Sequence, residues 1–366
     1  MKKNTDLKRN NWWSNIDKFI FIPTILLLLI GIISISSITH HFSGNFYSSS
    51  ELLLKKHLIF CIIGIFIVLT ASQLSLKNLI FISFLLFFMG LLLTSFTIFF
   101  FPETKGASRW IKFFNFSFQP SELLKPSFII ISSVLLGRYK IKNDYSIFIN
   151  IFFLIIISLL LIIQPDFGMF VLVFMAWLIQ MITSRLKLKI IFPILFGFVA
   201  VSLFCFLTLN HVRFRIMNFL FSDVGDNYQI TKSINSFENG GFLGKGLGEG
   251  SIAKSLPDVH SDFIFALIGE ELGSLSAIII MIMYLVMYVR AHLISQRSNN
   301  FFIISSMTGL SNILIFQAII NISSALNIIP TKGMTLPFIS YGGSSFISCS
   351  IIIGFMLSLA KESKNG

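Results

Sequence analysis

The chain has 366 residues, 55% of them hydrophobic and only 12% charged, with a mean hydropathy of +0.84; a charged share this far below the usual ~25% excludes a soluble globular protein. The formal charge of +12 does not indicate a nucleic-acid partner, because the basic residues are scattered between apolar runs and form no phosphate-tracking patch. Apolar stretches of roughly 17 to 23 residues, each able to cross ~30 Å of hydrocarbon, predict an all-α polytopic integral membrane protein.

A basic segment, 1–18, precedes a first span at 19–38, which has membrane-crossing length and no convincing cleavage site and so reads as retained rather than as a signal peptide. Further spans are predicted at 58–71, 79–101, 121–136, 145–163, 167–183, 190–209, 263–289, 301–321 and 344–360, ten in all, which makes one membrane domain over 19–360 and a short tail at 361–366. The second is short, and the fourth is burdened by Glu122, Lys125 and Pro126. One set of connections holds 16 Lys and Arg in roughly 55 residues and the other holds 11 in roughly 116, which places both termini in the cytoplasm. Acidic residues fall the other way, 12 of 16 in or near the outer half. Chemistry is therefore expected outside, where the long connections are 102–120, a loop at 210–262, and 323–343. Cys61, Cys205 and Cys349 sit singly in apolar stretches, without metal-type spacing, and read as inert core thiols.

The polar residues that a bilayer makes costly occur in a few motifs. KGASRWIKF at 105–113 mixes cations with Trp110 and Phe113, as an interfacial anchor does, and Arg109 could also meet phosphate. In QPSELLKPS at 119–127, Glu122 and Lys125 stand at i and i+3, close enough to pair on a helix. GGFLGKGLGEG at 240–250 fails as a nucleotide loop, since Asn239 and Gly246 stand where Gly and a hydroxyl are required. It reads as turns, with a flexible outer loop of free backbone amides as the other possibility.

LPDVHSDFIFALIGEELG at 256–273 carries Asp258, His260 and Asp262 alternating on what reads as an extended stretch, then Glu270 and Glu271. In a helix starting near Asp262, Glu270 is two turns deeper on nearly the same face. Asp262 reads either as a helix cap or as a general base at the membrane surface, and Glu270 and Glu271 as groups that need partners. PTKGMTLPFISYGGSS at 330–345 has the prolines and glycines of broken backbone that lines protein or cavity rather than lipid.

These motifs, with QPDFG at 164–168 and Arg215 followed by Tyr228-Gln229, resemble in order and over nearly the whole chain the SEDS (FtsW/RodA) family of bacterial cell-wall polymerases. Ser261 stands where the family usually has Thr, and Asp258-Val259 where many members have Glu-Ala. Pro330-Thr331-Lys332-Gly333 resembles the division branch more than the elongation branch.

The resemblance implies an inverting peptidoglycan glycosyltransferase that polymerises lipid II on the outer membrane face and releases undecaprenyl diphosphate. Asp262 matches the family's essential Asp and would deprotonate the attacking sugar hydroxyl; Glu122, Lys125, His260, Glu270 and Glu271 would support it. The diphosphate would meet cations chosen from Arg109, Arg213, Arg215, Lys232, Lys245, Lys254 and Lys332, with a divalent ion, Mg or Mn, able to share that role. A class B penicillin-binding transpeptidase at the division septum is the partner implied. A lipid II transporter, an elongation-type polymerase and an idle division scaffold are the competing readings.

Overall fold

The structure, a computed structural model, describes residues 12–39, 45–101, 108–113, 116–142, 145–221, 228–330 and 333–365. Its elements, in order, are α1 (Trp12–Asn15), α2 (Lys18–Thr39), α3 (Asn45–Ala71), α4 (Leu76–Phe100), β1 (Ile111–Phe113), β2 (Phe116–Phe118), α5 (Ser121–Lys142), α6 (Ser146–Ile163), α7 (Phe167–Thr183), α8 (Leu188–Thr208), α9 (Asn210–Leu220), α10 (Tyr228–Gly240), α11 (Ile264–Glu271), α12 (Gly273–Arg297), α13 (Phe301–Ala325) and α14 (Gly343–Asn365).

Among the described residues, eight helices are long and apolar enough to cross a membrane: α2, α3, α4, α6, α8, α12, α13 and α14. The shorter apolar α7 and the polar α5 pack among them, so eight of the ten expected spans have the length and apolarity of a crossing helix. Spans apolar all round cannot sort themselves by amphipathicity, so burial separates centre from rim. In α14, 94% of the apolar window is buried, and in α8 only 11%. α14 is the axis, packed on α3, α5 and α13, while α8 contacts α7 and α9 and otherwise presents side chains such as Phe196 and Phe204 outward. The second span is longer than expected, because α3 begins ahead of its apolar run and carries an exposed Glu51–Lys55 pair one turn apart at 2.7 Å.

Four expectations are corrected. The span at 263–289 is two helices, broken where Gly273 adopts φ +81°. A Cβ there would stand 2.4 Å from the Gly244 nitrogen and the Phe242 carbonyl, so the break exists to receive the glycine loop. Asp262 lies ahead of α11, in turns where its N–H donates to the Asp258 carbonyl at 3.0 Å; the stretch is neither extended nor helical, and Asp262 is not the N-cap residue of α11. The connection at 210–262 holds two helices, α9 and α10, and a 3-10 turn at Ala253–Ser255. A small antiparallel hairpin, Ile111 opposite Phe118, also stands where only an anchor segment was expected.

At one end of the bundle the two chain ends meet. Arg290 of α12 grips Asp17 with two nitrogens, at 2.7 and 2.9 Å, Lys361 donates to the Gln73 carbonyl at 3.3 Å, and Lys364 to that of Asn15 at 3.4 Å. The opposite end carries the hairpin, α9 to α11 and the 333–342 segment, and there the costly motifs converge.

Candidate functional site at one end of the bundle

The QPDFG segment turns the chain between α6 and α7. Asp166 caps α7 by accepting from the Met169 N–H at 3.3 Å, and its other oxygen accepts from Gln119 at 3.1 Å. Gln164 donates to Thr97 Oγ1 at 2.7 Å and to the Ser108 carbonyl at 3.2 Å. Arg109 is thereby delivered onto the turn: its Nε donates to the Gln164 carbonyl at 2.8 Å, its Nη2 to the Pro165 carbonyl, and its Nη1 stands 3.8 Å from Asp166. Helix α9 lies alongside, and Val212, Arg215 and Ile216, at i, i+3 and i+4, share one face.

These residues line a cavity of about 290 Å³, with Val171, Ile320, Ile329, Pro330 and Gly333 completing apolar walls around the two guanidinium groups. Desolvation against those walls and the neighbouring Arg109 lower the pKa of Arg215 from its ordinary value, and the carboxylates of Asp262 and Asp166 act in the opposite direction. A guanidinium remains charged throughout the physiological range regardless.

Asp262 enters at the cavity rim. It is half-buried, and a Cβ at Gly333 would lie 3.0 Å from its Oδ2, so any larger residue there would crowd the carboxylate. Its backbone is held by Asn321, whose Nδ2 donates to the Asp262 carbonyl at 3.1 Å and to the Met334 carbonyl at 2.6 Å. The SYGGSS segment holds the preceding turn: Ser340 Oγ donates to the Ser261 carbonyl at 2.6 Å, and the Tyr341 N–H to the His260 carbonyl at 2.8 Å, with the two rings 5.7 Å apart. His260 is thus packed on the turn that presents Asp262, while Asp258 is exposed and at φ +53°.

The other costly residues are engaged by partners within the bundle. Glu122 and Lys125 pair as their spacing predicts, both buried, and Lys125 Nζ also donates to Gln317 Oε1 at 2.8 Å. Glu270, fully buried, accepts from Asn239 at 2.6 Å and from the backbone N–H groups of Ser251, Ile252 and Ala253 at 3.1, 3.0 and 2.7 Å. Glu271 pairs with Lys254 at 3.2 Å, and Lys254 also donates to the Gly248 carbonyl. The glycine loop is not a free donor surface: the Lys245 and Gly246 N–H groups donate to the Glu270 and Glu271 carbonyls, each at 3.0 Å.

Of the cations expected at a diphosphate, the structure brings Arg109 and Arg215 to the cavity. Arg213, exposed as Arg215 also is, lies off the face of α9 that lines the cavity, Lys245 is exposed on the glycine loop, Lys232 lies 5.5 Å over the Tyr228 ring, and Lys254 is engaged by Glu271. Lys332 lies outside the described residues. Among the described residues, no three His, Cys, Asp or Glu side chains gather as a metal site. Asp166 accepts from Gln119 and the Met169 N–H beside Arg109.

Fold and site define a class: a multi-pass membrane protein with a carboxylate beside a cationic, apolar-walled cavity, suited to an amphiphilic anion. The chain belongs to the FtsW, RodA and SpoVE family, described as cell cycle proteins, whose model matches residues 17–365. A Coxiella burnetii protein named probable peptidoglycan glycosyltransferase FtsW is 34% identical over 96% of this chain and 98% of its own length. One of the same name from Caulobacter vibrioides is 35% identical over 71% of this chain and 67% of its own. Two solved structures share the fold at 20% identity. One is described as a peptidoglycan synthase complex coordinating polymerization and crosslinking, with TM-score 0.76 over 96% of this chain and 99% of that one. The other is the rod shape determining protein RodA of Thermus thermophilus, with TM-score 0.71 over 96% and 98%.

Proposed function

We propose that this chain is a peptidoglycan glycosyltransferase that polymerises lipid II at the outer face of the cytoplasmic membrane during septum formation, as its FtsW-named relatives indicate. The observation that carries the reading is the juxtaposition of the Asp262 carboxylate, at Gly333, with a cavity holding Arg109 and Arg215 between apolar walls. A diphosphate joined to a polyprenyl chain needs both kinds of wall. Asp262 takes the proton of the attacking sugar hydroxyl as its oxygen bonds to the anomeric carbon, and the bond from that carbon to the diphosphate breaks. Diphosphate leaves as an anion, so one carboxylate serves where glycoside hydrolysis uses two. Arg215 and Arg109 neutralise the departing charge. A divalent ion would reach this site only as a companion of the diphosphate.

Orientation follows the basic bias, with both termini cytoplasmic and the cavity outside. Among the described residues, the connections at that end contain no unit able to crosslink peptides, and the strands go to a membrane-anchored transpeptidase of the class B penicillin-binding type. The transport reading draws on Glu122, Lys125 and Glu270, and each of these is engaged by neighbouring residues. The deciding experiment supplies labelled lipid II to the full-length chain with its transpeptidase and reads polymer on a gel: wild type makes strands and Asp262→Asn, still folded, makes none. Polymer at wild-type yield from Asp262→Asn would remove the mechanism. Depletion in the native bacterium separates the two branches, since lost septation supports the division role and rounding with continued septation the elongation role.

A further inference from the structure

Helix α13 ends at the site, and two of its buried amides, Gln317 and Asn321, stand one turn apart on the same face. Asn321, with no exposed surface, binds two carbonyls from segments distant in sequence, those of Asp262 and Met334. Gln317 donates to the Thr335 carbonyl at 3.1 Å and to Ser345 Oγ at 2.9 Å, while its own oxygen accepts from Lys125 at 2.8 Å. One helix face therefore fixes residues 334 and 335, next to the Gly333 that borders the Asp262 carboxylate, and ties them to the buried Glu122–Lys125 pair.

We infer that Asn321, braced by Gln317, is a positioning residue that sets the Asp262 carboxylate at the cavity rim; the inference rests on the assignment of Asp262 as the base. One side-chain nitrogen can reach both carbonyls only while the 262 turn and the 333–335 segment keep their present separation, so Asn321 acts as a ruler between them. Removing it leaves two carbonyls without that donor and lets the segments slide. A displacement on the order of 1 Å at a reacting group costs on the order of 10²-fold in rate.

The test uses the full-length chain purified with its transpeptidase. Binding is read by titration with labelled lipid II lacking the attacking hydroxyl, which gives affinity and stoichiometry without reaction. Turnover on ordinary labelled lipid II is then expressed per binding-competent molecule, a quantity that loss of folded protein does not change. Asn321→Ala is expected to bind with wild-type affinity and stoichiometry and to turn over on the order of 10²-fold more slowly. Asn312→Ala, which removes another buried amide of α13, is expected to keep its turnover per site. Wild-type turnover in Asn321→Ala, or an equal fall in Asn312→Ala, overturns the inference. If Asn321→Ala fails to fold, Asn321→Ser, which keeps one donor, must show reduced turnover at full stoichiometry, and wild-type turnover there overturns it equally. Asp262→Asn measured in parallel separates the two levels: activity in that variant removes the base itself, whereas an inactive Asp262→Asn beside a fully active Asn321→Ala removes only the ruler.

Discussion

Glu270 and Asp262 belong to one motif eight residues apart, and the fold gives them opposite situations. Glu270 is sealed under the loop at 248–253 with three backbone N–H groups and Asn239 aimed at its two oxygens. Asp262 is half-buried at the edge of a cavity, with its backbone tied down and its carboxylate set against a glycine. Burial is what separates them: Glu270 has no exposed surface, and Asp262 keeps part of its own. A buried acid saturated by backbone amides holds a loop in place, and an acid whose main chain is anchored at the edge of a cavity can exchange a proton.

The contrast is broken most severely by changing the proton acceptor. Asp262→Asn is expected to reduce polymerisation by about 10²- to 10⁴-fold with an unchanged melting profile; concurrent loss of folded protein would show that Asp262 is scaffold like Glu270. On the scaffold side, Glu122→Gln or Lys125→Met alone should each cost about 3–5 kcal/mol by leaving a buried charge uncompensated, and the double variant less than their sum, measured by denaturation in detergent. Additive losses would show the pair to be uncoupled.

Glu270→Gln should cost about 2–3 kcal/mol, since an amide turns two of its protons toward backbone N–H groups. Its readout is earlier proteolysis within 248–253, with lipid II binding per folded molecule retained. Arg215→Ala, in the cavity, should weaken lipid II binding by about tenfold, or ~1.4 kcal/mol, with little change in melting. At the small end, Arg213→Ala and Lys245→Ala should each change polymer yield less than about twofold, as exposed residues away from the cavity do. A large effect of Lys245→Ala would place the glycine loop in the reaction after all.

Much of the bundle was legible because length and apolarity report directly on membrane crossing, and the Glu122–Lys125 pair was legible because helical spacing is local. The break at Gly273 was not. Its cause is the docking of residues 241–246 onto α11 and α12, a contact between segments that no periodicity links. The same applies to the site. Asp166 and Gln164 were visible only as letters of a motif, and their roles depend on Arg109 arriving from another connection. Gln317 and Asn321 drew no notice, since an amide within an apolar run carries no charge to mark it. A long connection rich in Lys and Arg offered five cations for one task, and only the face of α9 that carries Val212, Arg215 and Ile216 shows which of them reaches the cavity.

The order in which the chain is made sets a waiting time that the bundle must survive. Helix α2 packs on α12 and α14, and α3 packs chiefly on α14, so the first helices to leave the ribosome meet their partners among the last. At ~5–20 residues per second, that interval is on the order of tens of seconds. Until α14 arrives, the α3 face that carries His57 and Gly64 has neither Phe346 nor Ser350 against it, and an imidazole is a poor neighbour for lipid chains. A ribosome that stops short of Gly343 therefore releases a bundle with an open seam through its middle, a natural mark by which membrane proteases can tell an unfinished copy from a finished one.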